Sequence, residues 1–513
     1  MDPGVRSRRL NDGVHLRDVQ DVVTKPRGFI GLTQARWAGL MLWLPTGLAA
    51  VAGLISLGGK GFTGDEAVSV TLARLPWSRF GSLIVHRETN GSLYFTLLHV
   101  FTNGDGGEWG ARALSVVAFV LATSIFVLLV QRLFATRTAV IAGVLFALSP
   151  LHVEYAQTAR EYLLALLLVV ASTYLFVRGI QEPSVVVWAA YAVISAAAAY
   201  AFLLAATVPF AHLLSLAALA RGRVPWRSVL WAMVGFVLLL LPLAFFLTQT
   251  TASGGVAWAS GNLPGRIAVS FRDHFSRALL VVLLAALTVG LVVAWWRLAA
   301  RFPWPATLMV AWLVVPAYLV TVAGLVWQPL FIVRYFMIFA PPLLVAIAVG
   351  ISRLRGAPLA VAVVALVLVG GYGLVRWYHG ETGADYRGAS AYVAASSHPG
   401  DGVLFYAPYV RMPFELYFQK TKAARSDRVG AVYPADPWNR APARFLEAVS
   451  MPEGQIQAAL GRYRRVWLVL SQYRLYGQAD PGYDHVLSAL SRRSFRLVQK
   501  RSFAGLVLRR YDR

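Results

Sequence analysis

Residues 37–67 read WAGLMLWLPTGLAAVAGLISLGGKGFTGDEA, an apolar run followed by two adjacent carboxylates, Asp65 and Glu66. A helix rises ~1.5 Å per residue, so about 20 apolar residues cross the ~30 Å hydrocarbon layer of a bilayer. Acidic residues are scarce in this chain, with 24 Asp and Glu against 48 Lys and Arg. Ionised groups are costly close to a bilayer, so a pair of carboxylates beside a membrane span is a candidate functional site.

The composition assigns the chain to the membrane proteins. Of its 513 residues, 58% are hydrophobic and 14% are charged, and apolar runs of span length recur along the sequence. We predict an α-helical polytopic membrane protein with about eleven transmembrane helices. The chain has no cysteine, which excludes disulfides, thiolate chemistry and cysteine-based metal sites. The predicted spans are residues 37–58, 111–130, 138–151, 162–177, 185–200, 202–220, 229–247, 278–296, 306–326, 331–350 and 358–375.

The arginine pattern predicts the orientation of these helices. Every second connection is short and basic, and the positive-inside rule makes such connections cytoplasmic. The basic segment 1–36 is then cytoplasmic, and because no cleavage site follows it, the first helix is expected to remain as an anchor. The tail after the last span lies outside. The other predicted outer connections are residues 59–110, 152–161, 248–277 and 327–330, and the inner ones contain Arg132, Arg178, Arg223, Arg297 and Arg353.

The chain is thereby divided into three parts: the cytoplasmic segment 1–36, a transmembrane catalytic domain at 37–376, and an extracytoplasmic domain at 377–513. In the last part, residues 401–406 and 465–470 have the pattern of strands, and residues 441–449 and 456–463 are compatible with helices. We predict a small α/β domain. Its basic character favours anionic lipid headgroups of the bilayer as a partner, and not a nucleic acid.

The outer loop 59–110 is far longer than a connection between two antiparallel helices requires, and long loops of this kind are usually functional. After Gly64, which can act as an N-cap, residues 65–75 have the pattern of a short amphipathic helix with Asp65 and Glu66 in its first turn. In one interpretation the two acids only cap this helix. In the other, a carboxylate at the outer surface is a general base that takes the proton from an attacking hydroxyl.

Such a base would serve sugar transfer from a lipid-linked phosphate. The phosphate departs without needing a proton, so one base and cations that stabilise the phosphate suffice. Arginine binds phosphate oxygens through two donors at once, which lysine cannot do, although an interfacial arginine can equally be a snorkelling anchor. The candidates on the outer side are Arg112 at the second span, Arg160 and Tyr162 beside the second outer loop, and Arg334 and Tyr335 at the tenth span.

These motifs, in this order, resemble those of the GT-C glycosyltransferases, in particular the family 39-like branch that includes protein O-mannosyltransferases and the aminoarabinose transferase of lipid A. The resemblance implies a polyprenyl-phosphate-linked sugar donor, an acceptor outside the bacterial cytoplasmic membrane, and inversion at the anomeric carbon. By position, Asp65 resembles the catalytic base with Glu66 supporting it, and Arg334 resembles the donor-phosphate contact. Arg160 and Tyr162 resemble residues that flank the donor site. The resemblance extends over residues 37–350, and its segments are TGDEA at 63–67, ARALS at 111–115, SP at 149–150, AREYL at 159–163, RY at 334–335 and PP at 341–342.

One segment departs from the family pattern. Many relatives have His-Pro-Pro-Leu-Tyr late in the first outer loop, where this chain has Asn90-Gly91-Ser92-Leu93-Tyr94. The departure concerns the acceptor side of the site more than the donor side.

Two further polar residues of the outer loops are candidates. His86, beside Arg87 and Glu88, either contacts the substrate or is simply solvated. Glu154 either adds a second carboxylate to the site or pairs with Arg160. These groups could hold Mg²⁺ or Mn²⁺, since hard cations take oxygen ligands, but no spacing here requires a divalent cation.

The alternative from another functional class is a transporter or flippase for lipid-linked substrates. Transporters place ionisable residues at the bilayer midplane on broken helices and often show repeats between their halves. In this sequence the charges cluster in the outer loops instead, which favours the enzyme. The sequence leaves open which sugar is transferred and whether the acceptor is a glycolipid, a cell-wall glycan or a protein.

Overall fold

The structure, a computed structural model, describes most of the chain from residue 32 onwards. Several predicted features lie outside the described residues: segment 1–31, the outer connections at 250–277 and 327–330, the span at 278–296 and the helical segment 441–449. The described residues are 32–86, 88–102, 107–219, 221–249, 303–326, 333–380, 383–406, 408–421, 429–435, 451–471 and 481–513.

The described helices of the membrane part lie close to the predicted spans. Where they differ, the helices mostly continue past the apolar run into polar residues at its ends. In chain order they are α1 (Leu32–Leu54), α2 (Gly64–Ala73), α3 (Trp77–His86), α4 (Ser92–Thr102), α5 (Gly107–Leu133), α6 (Thr136–Ala147), α7 (Pro150–Ala156), α8 (Tyr162–Gln181), α9 (Val185–Ala201), α10 (Val208–Ser215), α11 (Trp226–Gln249), α12 (Pro303–Val326), α13 (Pro341–Ile351) and α14 (Gly356–His379).

Among the described residues, four helices are long and apolar enough to cross a bilayer: α5, α8, α11 and α14. A fifth span results if α6 and α7, which meet at 55°, form one bent unit. Helices α5 and α8 are largely buried inside the protein, whereas α14 exposes large apolar side chains such as Val361 and Leu368. This pattern is that of a multi-pass membrane protein. The count of about eleven spans stays a prediction.

Besides the span at 138–151, which is broken between α6 and α7, two predicted spans are not continuous helices. Residues 202–220 form a 3-10 turn at Leu203–Thr207, the short α10, and a second 3-10 turn at Leu216–Ala218. Residues 331–350 contain a 3-10 helix at Val333–Ile338 followed by α13. Proline at the start of a helix lacks an N–H that would be unpaired there and fixes φ at a helical value, which explains why α10 and α13 begin where they do.

The described part of loop 59–110, named the first outer loop after its predicted side, is largely helical. The predicted short helix is present as α2, but its N-cap is Thr63 and not Gly64. Thr63 Oγ1 accepts from the backbone N–H of Glu66 (3.3 Å), and Glu66 Oε2 accepts from the backbone N–H of Thr63 (3.0 Å). This reciprocal pair is a capping box. Glu66 therefore caps the start of α2, whereas Asp65 lies exposed on the same turn.

The C-terminal part is the predicted α/β domain. Its elements are α15 (Tyr386–Ser396), β1 (Asp401–Tyr406), α16 (Arg411–Phe418), β2 (Val429–Tyr433), α17 (Glu453–Leu460), β3 (Arg465–Ser471), α18 (Pro481–Arg492), β4 (Arg496–Phe503) and β5 (Leu506–Asp512). The sheet order is β2-β1-β3-β5-β4, with β1 parallel to β2 and β3 and with β5 antiparallel to its neighbours. Helices α15 and α16 cover one face, and α17 and α18 cover the other. The predicted strands β1 and β3 are confirmed; β2, β4 and β5 were not predicted.

Candidate active site

Arg112, at the outer end of α5, holds the loop that leads to Asp65. It forms a two-point ion pair with Glu66, from Nε to Oε1 (2.7 Å) and from Nη2 to Oε2 (2.9 Å). Its remaining bonds go to the carbonyls of Leu57 (2.8 Å), Lys60 (3.0 Å) and Gly61 (3.1 Å). The five N–H groups of the guanidinium are therefore committed to protein acceptors. In this structure the Arg112 side chain stabilises the loop, and its contact with the donor phosphate stays a prediction.

Glu66 joins the two outer loops. Besides Arg112, its carboxylate accepts from the backbone N–H of Ala159 (2.9 Å) in the second loop. One turn along α5 from Arg112, Ser115 Oγ donates to the carbonyl of Thr158 (2.8 Å). The segments 63–67, 111–115 and 158–160 thus form one hydrogen-bonded unit. The Glu66 side chain is 1% exposed and both its oxygens are occupied, so the structure gives it a bracing role. The support of Asp65 in catalysis that the resemblance implies stays a prediction.

Gln157, which the sequence analysis did not consider, ties this unit to the first and last membrane helices. Its Nε2 donates to carbonyls at the end of α1, including those of Gly53 (3.1 Å) and Ile55 (2.6 Å). Its Oε1 accepts from Trp377 Nε1 (2.8 Å) on α14. A cavity of about 20 Å³, close to the volume that one water occupies, lies between these groups. Gln157 satisfies carbonyls that the end of a helix leaves unpaired.

Asp65 is the exposed carboxylate of the pair and lies in the first turn of α2, where the helix dipole stabilises a negative charge. Arg160 lies beside it, with Nη1 directed at the backbone carbonyl of Asp65 (3.5 Å). The Asp65 charge also acts on Glu88, in the same outer loop, and on Tyr386 of the C-terminal domain. The carboxylate is therefore accessible at the meeting point of both outer loops and the C-terminal domain.

A second ion pair lies beside Asp65. Arg160 Nη2 donates to Glu161 Oε1 (2.9 Å), and the Glu161 side chain is 1% exposed. Within the described part of the chain, Arg160 Nε and Glu161 Oε2 are buried without a hydrogen-bond partner. Burial lowers the pKa of Arg160, but the charge of Glu161 in particular raises it further, so the guanidinium stays protonated. Arg160 Nε is thus a hydrogen-bond donor beside Asp65 that no described protein group uses. Glu161 is a site residue that was not expected from the sequence.

Glu88 is the third carboxylate near Arg160. Burial raises its pKa to about 7; Arg160 lowers it, and Glu161 and Asp65 raise it. The sequence analysis mentioned Glu88 only as a neighbour of His86. An acidic residue next to Arg87 in a polar loop gives no local signal of burial, so the sequence could not have distinguished it.

An aromatic cluster continues from Arg160 towards the tenth predicted span. The guanidinium carbon of Arg160 lies 5.8 Å from the ring centre of Tyr162, and the ring centres of Tyr162 and Tyr335 are 6.5 Å apart. Phe202 packs between the two tyrosines, 5.6 Å and 5.0 Å from their centres. The predicted residues Asp65, Arg160, Tyr162 and Tyr335 are therefore brought together. The backbone of Arg334 lies in the adjacent 3-10 helix Val333–Ile338, but its side chain lies outside the described residues.

The segment that departs from the family pattern anchors α4. Asn90 Oδ1 accepts from the backbone N–H of Leu203 (2.9 Å), and Ser92 Oγ donates to the carbonyl of Tyr200 (3.2 Å). Gly91 has φ = +92°, and a Cβ there would lie 3.6 Å from the carboxyl carbon of Glu161. Glycine permits this left-handed backbone, and it also leaves space for the Phe95 ring, which would lie only 3.0 Å from a Cβ. The segment positions the start of α4 against the turn that follows α9.

The remaining candidates have less central positions. His86 is exposed at the end of α3, and its Nδ1 bonds only locally with the carbonyl of Ser82 (3.0 Å). Glu154 is half-buried on α7, and its carbonyl accepts from Thr158 Oγ1 (2.8 Å). In the described ranges, no group of three or more His, Asp or Glu side chains is arranged to hold a metal ion.

Comparisons with known proteins bear on the family and the fold. Residues 93–248 match the family model described as dolichyl-phosphate-mannose-protein mannosyltransferase. The whole chain is similar to ArnT from Cupriavidus metallidurans, in the apo state (TM-score 0.58, 16% identity, 93% of this chain and 98% of that chain) and bound to undecaprenyl phosphate (0.54, 14%, 92% and 98%). It is also similar to the archaeal oligosaccharyltransferase AglB from Archaeoglobus fulgidus in complex with an inhibitory peptide and a dolichol-phosphate (0.52, 11%, 93% and 74%). No curated protein matches the sequence.

At these identities the similarity to solved structures establishes the fold alone. Together with the family match it confirms the resemblance found in the sequence motifs. The chain has the fold of ArnT and AglB, and its residues 93–248 match the model of the dolichyl-phosphate-mannose-protein mannosyltransferases.

Proposed function

We propose that this chain is a membrane glycosyltransferase that moves a sugar from a polyprenyl-phosphate-linked donor to a hydroxyl group of an acceptor on the outer side of the bacterial cytoplasmic membrane. The observation that carries this proposal is the exposed Asp65 carboxylate beside Arg160, on a loop that is braced from within by Glu66 and Arg112. The matched family and the fold are those of sugar-transferring enzymes, which favours this function over a transporter. ArnT bound to undecaprenyl phosphate and AglB bound to dolichol-phosphate support a lipid phosphate as carrier.

In the proposed reaction Asp65 is the general base. The acceptor oxygen bonds to the anomeric carbon from the face opposite the phosphate, and the bond from that carbon to the phosphate oxygen breaks. The electron pair leaves with the polyprenyl phosphate, and the acceptor proton passes to the Asp65 carboxylate. Because the attack comes from the opposite face, the configuration at the anomeric carbon inverts.

The departing phosphate gains negative charge and needs cations. Arg160 stays protonated, and its Nε has no partner among the described residues, so it is a donor for a phosphate oxygen. Arg334 is the second proposed phosphate contact, since it immediately precedes Tyr335 of the aromatic cluster along the chain. Tyr162 and Tyr335 would form the wall that orients the donor. Preorganised donors aimed at developing charge are usually the largest single contribution to such catalysis.

The function is tested with purified protein in lipid nanodiscs, a labelled polyprenyl-phosphate sugar and the variant Asp65→Asn. Asparagine is nearly isosteric but cannot take the proton at neutral pH, so turnover should fall ~10²- to 10⁴-fold while donor binding persists. The matched control is Asp484→Asn, which also changes an exposed carboxylate in the first turn of a helix but lies in the C-terminal domain.

Both variants are compared at equal amounts of folded protein. If Asp65→Asn turned over at close to the wild-type rate, Asp65 would not be the general base. Glu88 would then be the next candidate. An absence of transfer from every polyprenyl-phosphate sugar by the wild-type protein, with the lipid carrier neither bound nor consumed, would contradict the proposed function itself.

A further inference from the structure

The seven residues 57–63 connect the first membrane helix to the turn that carries Asp65. From the side of the membrane domain, Arg112 binds the carbonyls of Leu57, Lys60 and Gly61. Because the segment belongs to no helix or strand, its backbone depends on such side-chain partners for its conformation. The carbonyls of Gly58 and Gly59 are not among the acceptors of Arg112.

The C-terminal domain binds the same segment from the opposite side. Arg387, on α15, directs Nη2 at the carbonyl of Gly58 (3.4 Å) and Nη1 at that of Gly59 (3.5 Å). Tyr417, on α16, accepts from the backbone N–H of Phe62 (2.6 Å). Both side chains also meet the Glu108 carboxylate at the start of α5, at 2.6 Å from Arg387 and 2.8 Å from Tyr417. The segment is thus held between two domains.

Apolar packing extends this contact to the helix that carries Asp65. Leu416 on α16 is 3% exposed and packs in one cluster with Phe62 and with Ala67 and Val70 of α2. Ala67 and Val70 lie two and five residues after Asp65. A shift of α16 would therefore move the first turn of α2.

We propose that the C-terminal domain fixes the position of Asp65 relative to the donor site, with Tyr417 and Arg387 as positioning residues; this inference rests on the proposed function of Asp65. Tyr162, Tyr335 and the proposed phosphate contact Arg334 lie outside the hydrogen-bonded unit that contains Asp65 and Arg160. Loosening the segment therefore displaces the base relative to these residues and leaves this part of the donor site in place. A displacement of ~1 Å from a productive geometry can cost ~10²-fold in rate. The signature of this role is a loss of turnover without a loss of donor affinity.

The first test is Tyr417→Phe, which keeps the ring packing and removes the hydroxyl that binds Phe62 N and Glu108. We expect kcat to fall roughly 10- to 100-fold with the donor KM within about twofold of wild type. We also expect faster hydrogen–deuterium exchange in residues 57–73. The control is Tyr463→Phe, whose hydroxyl makes a long contact (3.5 Å) to Ala431 within the same domain. A fall in Tyr417→Phe no larger than in the control, or an equal rise in KM, would overturn the proposal.

The second test replaces the contact by a covalent bond. A Cβ placed on Gly61 lies 3.6 Å from the Cβ of Arg387, within the range for a disulfide, and the chain has no native cysteine. The double variant Gly61→Cys and Arg387→Cys should be slow when reduced and regain at least half of the wild-type kcat when oxidised, while neither single variant responds to the oxidant. A cross-linked protein as slow as the reduced one, or a pair that cannot be cross-linked, would refute the proposal. The hydrogen–deuterium exchange measurement needs no turnover. It therefore tests whether the C-terminal domain holds residues 57–63 in place even if the proposed function fails.

Discussion

Glu66→Gln separates the roles of the two adjacent carboxylates. The Glu66 carboxylate accepts four hydrogen bonds, from Arg112 Nε (2.7 Å), Arg112 Nη2 (2.9 Å), Ala159 N (2.9 Å) and Thr63 N (3.0 Å). A glutamine amide has one oxygen, and its nitrogen donates, so the donors that met the second oxygen lose their acceptor. Arg112, whose side chain is 4% exposed, becomes a buried cation without its counter-ion.

Breaking one side of a buried ion pair costs about 3–5 kcal/mol, whereas a surface pair is worth about 0–1 kcal/mol. We therefore expect Glu66→Gln to lower the thermal unfolding midpoint of the detergent-solubilised protein clearly, and to reduce the amount of folded protein recovered. Asp65→Asn changes an exposed group and should unfold at the wild-type temperature while losing turnover. The two neighbouring variants should thus differ in kind, one unstable and the other stable but inactive.

The double variant Glu66→Gln with Arg112→Met adds a check. It removes both charges, so its loss of stability should be smaller than the sum of the two single losses, by an interaction energy of roughly 1–3 kcal/mol. A Glu66→Gln protein that unfolds like wild type but no longer transfers sugar would refute this reasoning. It would make Glu66 a catalytic group in its own right.

Three further expectations follow from the same site. Folding raises the pKa of Glu88 from 4.5 to about 7, so between these pH values the folded state holds a proton that the unfolded chain has lost. The stability of the protein therefore falls as the pH rises from 4.5 to 7. Glu88→Gln should make this fall smaller, as measured by the thermal unfolding midpoint across the same pH range. A variant with the same slope as wild type would contradict the shift. Arg334→Lys keeps the charge but loses the two-point contact, so transfer should fall markedly at normal membrane insertion, and a wild-type rate would make Arg334 a membrane anchor. Reporters fused after Arg376 and at Arg223 should read as outside and inside, respectively, and a cytoplasmic tail would remove the proposed sidedness.

The membrane helices could be predicted from the sequence because their signal is local. An apolar run of span length must be a helix wherever it lies in the bilayer, since only a helix satisfies its own backbone groups there. The breaks within residues 202–220 and 331–350 carry a weaker signal. Proline marks where α10 and α13 begin, but hydropathy averages over a window and does not register the break.

The same distinction applies to the C-terminal sheet. Strands β1 and β3 are buried and read as apolar runs, so their composition identifies them. Strand β4 reads RLVQKRSF and is mostly exposed, and β2 contains a glycine in a five-residue stretch. These segments become strands because a neighbouring strand supplies their hydrogen-bond partners, and that pairing is not visible in the local pattern.

At the site, the important loop could be identified from the sequence, but the separate roles of its residues could not. Arg112 was a reasonable phosphate ligand by residue type and side of the membrane. Its actual partners lie 46 to 55 positions away along the chain, from Glu66 to Leu57, so only the folded structure reveals that its donors are already used. Glu161 was missed for the complementary reason. An acid beside an arginine in a polar loop gives no sign that one of its oxygens is buried without a partner.

The order of the two acids follows from helix geometry and side-chain length. Successive residues of a helix point about 100° apart, so when one of a vicinal pair faces the interior the other is directed towards the surface. The inner carboxylate must reach the Arg112 guanidinium and the N–H groups of Thr63 and Ala159, which the longer glutamate can do. The outer carboxylate has to be held close to one geometry, which suits the shorter aspartate because it has fewer rotatable bonds to restrain. The buried Glu66 also fixes the turn from which the proposed base Asp65 projects. The two adjacent acids therefore act together, Glu66 by holding the turn and Asp65 by facing the substrate.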